Sequence, residues 1–309
     1  MTVIAVAGGT GAVGQTIIET LLQETTHEII ILTRSTSNQT IPTTRTKHLQ
    51  IDYTDIASLA ETLTTHAITT IISAIGITDA ATSQAQLNLI SAAERSSTVS
   101  RFIPSEYSFI QTEDLLPIDP SIEHWLVAAR KLQESQTLKY TRMIPGFFMD
   151  YWGMPHVQTH LEPYVFGIDI AHCRAAIPGD GNDKLCMTYT YDMAKYLVKL
   201  LEVDGEWPEC SVVVGDTVTY NQLLGVAEEV RGREFSVVYD SAEKIKQGQV
   251  TVPAIPPGSS EAEAREMTAL VSRLTIAGVF DLPADNRLNA RFPEIVPVKV
   301  KDLLVEAWR

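Results

Sequence analysis

Apolar positions in the first half of the chain follow two alternating rhythms. Short β-branched or apolar runs, "TVIAVAG", "EIIILTR", "HLQID", "TTIISAIG", "SRFIPSE" and "LKYTRMIPG", read as six strands. The stretches between them have helical spacing. In "AVGQTIIETLLQ", Val13, Ile17, Ile18, Leu21 and Leu22 share one stripe. "DIASLAETLTTH", with Asp55 as its N-cap, "QAQLNLISAAERS" and "IEHWLVAARKLQES" repeat the pattern. Buried strands joined by helices predict an α/β fold with a parallel, doubly wound sheet. The Thr-rich piece from Thr33 to Thr46 reads as a surface loop.

The second half is less regular. "YVFGIDIAHCRAAIPGDGN" reads as extended segments around a Gly-rich turn, followed by a helix from about Tyr191 to Leu201. "CSVVVGD" and "REFSVVYD" read as strands, and "YNQLLGVAEEVRG" as a helix ended by Gly232. Helices near Glu261 to Leu274 and Val300 to Trp308 complete the pattern. "QVTVPAIPPGSSE" is a Pro/Gly/Ser loop, either a substrate-covering segment or a plain connector.

Composition narrows the possibilities. The 309 residues, 45% hydrophobic and 20% charged, suffice for one large domain or two modest ones. A net charge of -14 repels phosphate backbones and argues against nucleic acid as a partner. No apolar run approaches the ~20 residues a membrane span requires. The first residues read as a buried strand and not as a secretion signal, so a cytoplasmic location is expected. Cys173, Cys186 and Cys210 form no C-x-x-C pair and read as free thiols.

Candidate chemistry starts at "AGGTGAVG", where Gly8, Gly11 and Gly14 lie between the first strand and the first helix. One glycine makes the tight turn, one admits backbone close to a pyrophosphate, and one lets helix pack on strand. The helix N-terminus adds free N–H groups that favour an anion. Gly8, Thr10, Gly11, Ala12, Val13 and Gly14 are therefore candidate dinucleotide contacts. The second strand ends in "LTRS", with Arg34 and no carboxylate. Arginine there suits a ribose 2′-phosphate, hence NADPH/NADP+, with hydroxyls of Thr33 and Ser35 as further contacts. Asp52 is placed to meet the adenine, and "SAIG", Ser73, Ala74, Ile75 and Gly76, lies beside the expected cofactor ribose, though either reads equally well as strand-end punctuation.

"GGTGAVG", "LTRS", "RFIPSEYS", "LKYTRMIPGFFMDYWG" and "IPGDGNDKLCMTYTYDMAKYL" occur in one order. Together they resemble the NmrA-like and isoflavone-reductase-like branch of the atypical short-chain dehydrogenases, with wording nearest to fungal members. The resemblance covers roughly the whole chain. It implies an NADP(H)-binding Rossmann domain over 1–150 and a smaller α/β substrate lobe over 151–309, with about 187–215 packing back on the first domain. It also implies NADPH-dependent reduction of a hydrophobic, aromatic or secondary-metabolite small molecule, by hydride transfer in a pocket between two lobes. Pro145 and Gly146 become expected cofactor contacts. Pro104, Ser105, Glu106, Tyr107, Phe147, Phe148 and Tyr151 become expected pocket residues. For Glu106 an interior hydrogen bond, and for the phenylalanines core packing, are equal or better readings.

Tyr191 and Lys195 have the Tyr-x-x-x-Lys spacing of ordinary short-chain dehydrogenases. Those enzymes carry it on the helix between the fifth and sixth strands, whereas this pair follows the sixth. The pair is therefore read as coincidence, with Asp192 as a cap or anchor. Reductases of the resembled branch place a lysine one turn before the arginine matched by Arg130, and Leu126 stands there. Lys131 is turned ~140° away on a helix of 3.6 residues per turn. Tyr107, His124 and Ser105 are the candidate proton handlers in its place, with Asp150 and Tyr151 near the pocket mouth. His156 and His160 are read as solvent-facing, with no third ligand for a metal.

Loss of that lysine leaves two other readings open. One is a redox-neutral isomerase, cyclase or dehydratase on the same fold. The other is an NADP(H)-sensing regulator that binds a protein partner. A small-molecule substrate and a monomer or homodimer complete the expectation.

Overall fold

The computed structural model describes residues 2–35 and 44–309. Residues 36–43 of the expected Thr-rich loop lie outside the described residues. The chain forms two compact units. The first holds Met1–Tyr107, Gln111–Ile144 and Ala194–Ser211, and the second holds Ser108–Ile110, Pro145–Met193 and Val212–Arg309.

In the first unit, β1 (Val3–Ala7), α1 (Ala12–Glu24), β2 (Glu28–Thr33), β3 (Thr46–Gln50), α2 (Ile56–Thr65), β4 (Ile68–Ser73), α3 (Ala80–Arg95), β5 (Arg101–Ile103), α4 (Glu123–Glu134) and β6 (Lys139–Tyr140) follow in order. The sheet runs β3-β2-β1-β4-β5-β6, with every pairing parallel. This is the doubly wound Rossmann arrangement, reversing direction beside β1. Ala5, Ile30, Leu32, Ile71 and Phe102 from the strands pack with Leu59, Leu89, Ile90 and Leu132 from the helices in one core. Asp55 caps α2 by accepting the Ser58 N–H at 3.0 Å. Asp79 and Thr82 cap α3 reciprocally.

Three strand boundaries differ from the sequence pattern. β3 stops before Asp52, because that carboxylate accepts from the Thr54 N–H and hydroxyl in a local turn. β5 stops at Ile103, because Pro104 has no N–H to donate. The expected sixth strand splits at Thr141. The Arg142 N–H leaves the parallel sheet to donate to the Glu209 carbonyl at 2.8 Å. β7 (Arg142–Ile144) thus pairs outside the main sheet.

The second unit contains β8 (Phe147–Phe148), α5 (Asp150–Gly153), β9 (Ile168–Asp169), β10 (Arg174–Pro178), β11 (Lys184–Thr188) and the start of α6 (Thr190–Leu201). The strand β12 (Cys210–Val212), which begins in the first unit, pairs there with β7, and "CSVVVGD" carries a further strand, β13 (Asp216–Thr219), at its end. Next come α7 (Tyr220–Arg231), β14 (Ser236–Asp240), α8 (Ala242–Lys246), α9 (Glu261–Ile276), α10 (Leu288–Arg291) and α11 (Val300–Trp308). Its strands form two small sheets, β14-β10-β9 and β13-β11-β8. Among the described residues no helix is long and apolar enough to cross a membrane.

Asp150, expected near a pocket mouth, is instead an interior anchor with no solvent exposure. One oxygen accepts from the Thr190 N–H at the start of α6, and the other from the Thr190 and Thr159 hydroxyls. Burial pushes this carboxyl up to about 6, against the pull of those donors. A raised folded-state value favours the protonated form, so the stability it contributes is complete below the ordinary aspartate range and is lost as pH rises through 6. Asp150→Asn can offer its carbonyl to Thr190 N–H while the hydroxyls turn to accept from its amide. The variant is expected to gain ~3 kcal/mol relative to the parent between pH 4 and 7.5. Urea unfolding of both proteins at the two pH values measures this, and an unchanged difference would contradict it.

Candidate functional site

The first unit carries a cleft of about 510 Å³ at the C-terminal ends of β1, β2 and β4. Its floor is the glycine turn, where Gly8, Thr10 and Gly11 line it. Gly8 has φ +73°, a conformation that glycine adopts without strain. A Cβ at Gly8 would sit 2.4 Å from the Ala74 carbonyl oxygen, so the turn and the end of β4 are pressed together. Gly11 begins α1 without a side-chain cap. The first-turn N–H groups of Ala12, Val13 and Gly14 have no helical carbonyl in front of them, which leaves them for an anion. Gly14 is the packing glycine, since a Cβ there would meet Gly8 O at 2.4 Å and Gly9 Cα at 2.7 Å.

Thr33, Arg34 and Ser35 line the cleft beyond β2, and Ala74, Ile75 and Gly76 line it beyond β4. Among its lining residues Arg34 is the sole cation. The Thr33 hydroxyl is engaged locally, donating to Ser35 O at 2.7 Å and accepting from Ser35 N at 3.2 Å.

Of the expected cofactor contacts, Ala12, Val13, Gly14, Asp52, Ser73, Pro145 and Gly146 are not among the residues that line the cleft. Ser73 is fully buried, and its carbonyl accepts from the Tyr107 phenol at 2.8 Å. Asp52 is turned back onto Thr54, and the next residue, Tyr53, lines the cleft instead. Sequence reasoning passed over Tyr53 because an aromatic residue after a strand looks like core. Its position directly after Asp52 was the available signal.

The expected proton handlers engage different partners. The Tyr107 phenol is committed to Ser73, and burial raises it well above the ordinary tyrosine value. The Ser105 N–H donates to Gln86 Oε1 at 2.8 Å; among the described residues Gln86 Nε2 and Ser73 Oγ are buried without hydrogen-bond partners. His124 lies on α4, and its charge is felt at Asp79, which lines the cleft. Leu126 is buried on the same helix. Lys131 pairs with Glu94 at 3.5 Å, and Arg130 pairs with Glu113 and Glu123.

Glu106 is held in an interior ion pair. It is 2% exposed and bound by the Arg142 guanidinium, Nε to Oε2 at 2.7 Å and Nη2 to Oε1 at 2.5 Å. Arg142 also donates to Gln111 O at 3.0 Å. Burial pushes the Glu106 carboxyl up, while Arg142 and the Gln111 N–H pull it back. The pair ties the segment after β5 to β7.

In the second unit Phe147 and Phe148 are buried. Phe147 packs against Tyr151, Trp152, Phe166 and Phe280, with ring centroids 4.8–6.3 Å apart. Gly146, at φ +71°, donates its N–H to Ser108 O, and Pro145 O accepts from Thr188. Tyr151 and Tyr164 line a second, mainly apolar cavity of about 250 Å³ with Trp152, Ile168, Pro256 and Trp308. Pro256 belongs to the Pro/Gly/Ser loop, so that loop supplies part of this cavity wall. Among the described residues the buried Trp152 indole N–H has no hydrogen-bond partner.

Tyr191 and Lys195 lie on α6, after the sixth strand. The Tyr191 hydroxyl accepts from Gln158 at 2.8 Å, and Lys195 is exposed. Asp192 is buried and accepts from the Val298 N–H at 2.7 Å. His156 is exposed and packs edge-on against Trp308, and His160 is half-buried.

Comparison with known proteins places these features in a family. The chain is 31% identical to oxidoreductase swnN of Metarhizium robertsii over 342 aligned positions, covering 100% of this chain and 98% of that protein. It is 32% identical to oxidoreductase BOA1 of Botryotinia fuckeliana, covering 95% of each. In fold it resembles the leucoanthocyanidin reductase–NADPH complex from Vitis vinifera, with a TM-score of 0.73 at 18% identity over 98% of each chain. Residues 1–278 match the NmrA-like family, and the chain belongs to that family.

Proposed function

We propose that the protein is an NADPH-dependent oxidoreductase that reduces a hydrophobic, aromatic or secondary-metabolite small molecule by hydride transfer. The observation that carries this reading is Arg34, the one cation among the described residues lining a glycine-floored cleft, at the strand end where a 2′-phosphate would lie. The oxidoreductase names of the fungal relatives and the NADPH held by the grape enzyme support it. Bound NADPH supplies the hydride. The residues of the chain do the rest. The glycine turn and the first turn of α1 receive the pyrophosphate, and Arg34 receives the 2′-phosphate. The aromatic-walled cavity of the second unit takes the apolar body of the substrate and excludes water.

Proton handling departs from the lysine-based scheme because Leu126 offers no acid. Tyr107 acts by holding Ser73, since its proton is already donated there. The proton reaches the product through His124 or through water. Leu126 also favours a second reading, a redox-neutral conversion with NADPH retained unchanged.

The test compares thermal stabilisation by NADPH and NADH in the parent and in Arg34→Ala, then follows absorbance of the reduced nicotinamide during substrate turnover. Removing Arg34 is expected to weaken NADPH by ~10- to 100-fold, the value of a charge-assisted contact, and to leave NADH nearly unchanged. Equal stabilisation by both nucleotides in the parent would refute the 2′-phosphate assignment. Product formation at constant nicotinamide absorbance would select the redox-neutral reading.

A further inference from the structure

A 2′-phosphate presents three oxygens, and one arginine does not satisfy them all. Among the described residues, the other side chains near that end of the cleft are those of Thr33, Ser35, Asp52 and Tyr53. The Thr33 hydroxyl is engaged with Ser35, and Asp52 is engaged with Thr54 and carries the wrong charge. Tyr53 is different. It is 9% exposed and lines the cleft with Arg34, whose charge reaches its phenol. Its backbone is pinned, with the Tyr53 carbonyl accepting from Asn88 Nδ2 at 2.8 Å. The Arg34 carbonyl is held likewise by Gln50 Nε2 at 3.2 Å. The two residues thus sit on tethered segments after neighbouring strands. Among the described residues the Tyr53 hydroxyl has no hydrogen-bond partner, and it is not one of the sealed polar atoms of the interior. A nearly buried phenol normally finds a partner. One that reaches a cleft beside a cation, with none from the protein, is suited to a ligand oxygen.

We propose that Tyr53 is a second 2′-phosphate donor, its hydroxyl donating to a phosphate oxygen whose charge Arg34 neutralises. Burial favours the protonated phenol, which keeps the donor available at neutral pH. The contact would favour NADPH over NADH independently of charge. This inference rests on the NADPH reading above, and the experiment separates the two.

Isothermal titration of the full-length protein with 2′,5′-ADP and with 5′-AMP confines the question to the adenosine end. Tighter binding of 2′,5′-ADP by the parent is the condition for the NADPH reading, and its absence removes that reading before any variant is made. Given that preference, Tyr53→Phe is expected to weaken 2′,5′-ADP ~10-fold or more, as for a lost hydrogen bond to a charged group, with 5′-AMP unchanged. Its melting temperature without ligand should equal that of the parent, because the hydroxyl bonds to nothing in the described structure. Equal weakening of both ligands would move Tyr53 to the adenine or ribose and overturn the proposal. An unchanged affinity for 2′,5′-ADP in a folded variant would overturn it as well.

Discussion

Arg142→Met is expected to lower the unfolding free energy by ~3–5 kcal/mol, the usual cost of breaking a buried ion pair from one side. Met has comparable length and fills much of the same volume, so the loss reports the charge. Without the guanidinium, Glu106 is a 2% exposed carboxylate with only the Gln111 N–H, at 3.4 Å, to support it. It will take up a proton. Its folded-state pKa then rises above the unfolded value, so stability is retained at low pH and lost as pH rises through the new value. The deficit of Arg142→Met against the parent should therefore be larger at pH 8 than at pH 5. Adding Glu106→Leu should recover at least half of it, because an apolar replacement of the whole pair removes the uncompensated charge. Urea titrations of the four proteins give the full cycle. A single-variant loss under ~1 kcal/mol at pH 8 would show that the pair is not held as tightly as its geometry indicates.

This ion pair also marks a limit of sequence reading. Glu106 was visible as part of "PSE", but its partner is 36 residues away on a strand that splits from the main sheet. No local pattern announces that split, because it depends on the Arg142 N–H reaching Glu209. The doubly wound sheet was legible because each of its signals is local: apolar strand runs, helical stripes, and glycines at a strand-to-helix turn. Arg34 was legible for the same reason, since a strand end specifies its place. Asp52 and Tyr53 are adjacent, and sequence alone does not say which one turns into the cleft. The decision lies in a hydroxyl two residues on, at Thr54, which draws the Asp52 carboxylate into a turn. Asp150 was misplaced for a related reason. Its donors, Thr159 and Thr190, lie 9 and 40 residues away, and only folding shows that a carboxylate beside an aromatic run anchors a helix.

Gly14→Ala is expected to abolish dinucleotide binding, with a graded series of glycine variants showing why. Its Cβ would meet two backbone positions, Gly8 O at 2.4 Å and Gly9 Cα at 2.7 Å. Backbone has no rotamer with which to yield, so α1 must move off the turn that it helps to form. Overpacking of this kind costs ~1–3 kcal/mol in stability, and it displaces the N–H groups that receive the pyrophosphate. Gly11→Ala is milder, since its Cβ meets only Gly8 O, at 3.3 Å. Gly225→Ala is the control of opposite sign. That glycine lies exposed within α7 with nothing within 4 Å of its Cβ, so alanine should stabilise the protein by ~1 kcal/mol through helix propensity. Binding stabilises the folded state by mass action, so each variant reports through its NADPH-dependent melting shift. The shift should be lost in Gly14→Ala, reduced in Gly11→Ala and kept in Gly225→Ala. A full shift in Gly14→Ala would mean that the dinucleotide does not depend on the contact between α1 and the glycine turn, and the cofactor would have to be sought elsewhere on the molecule.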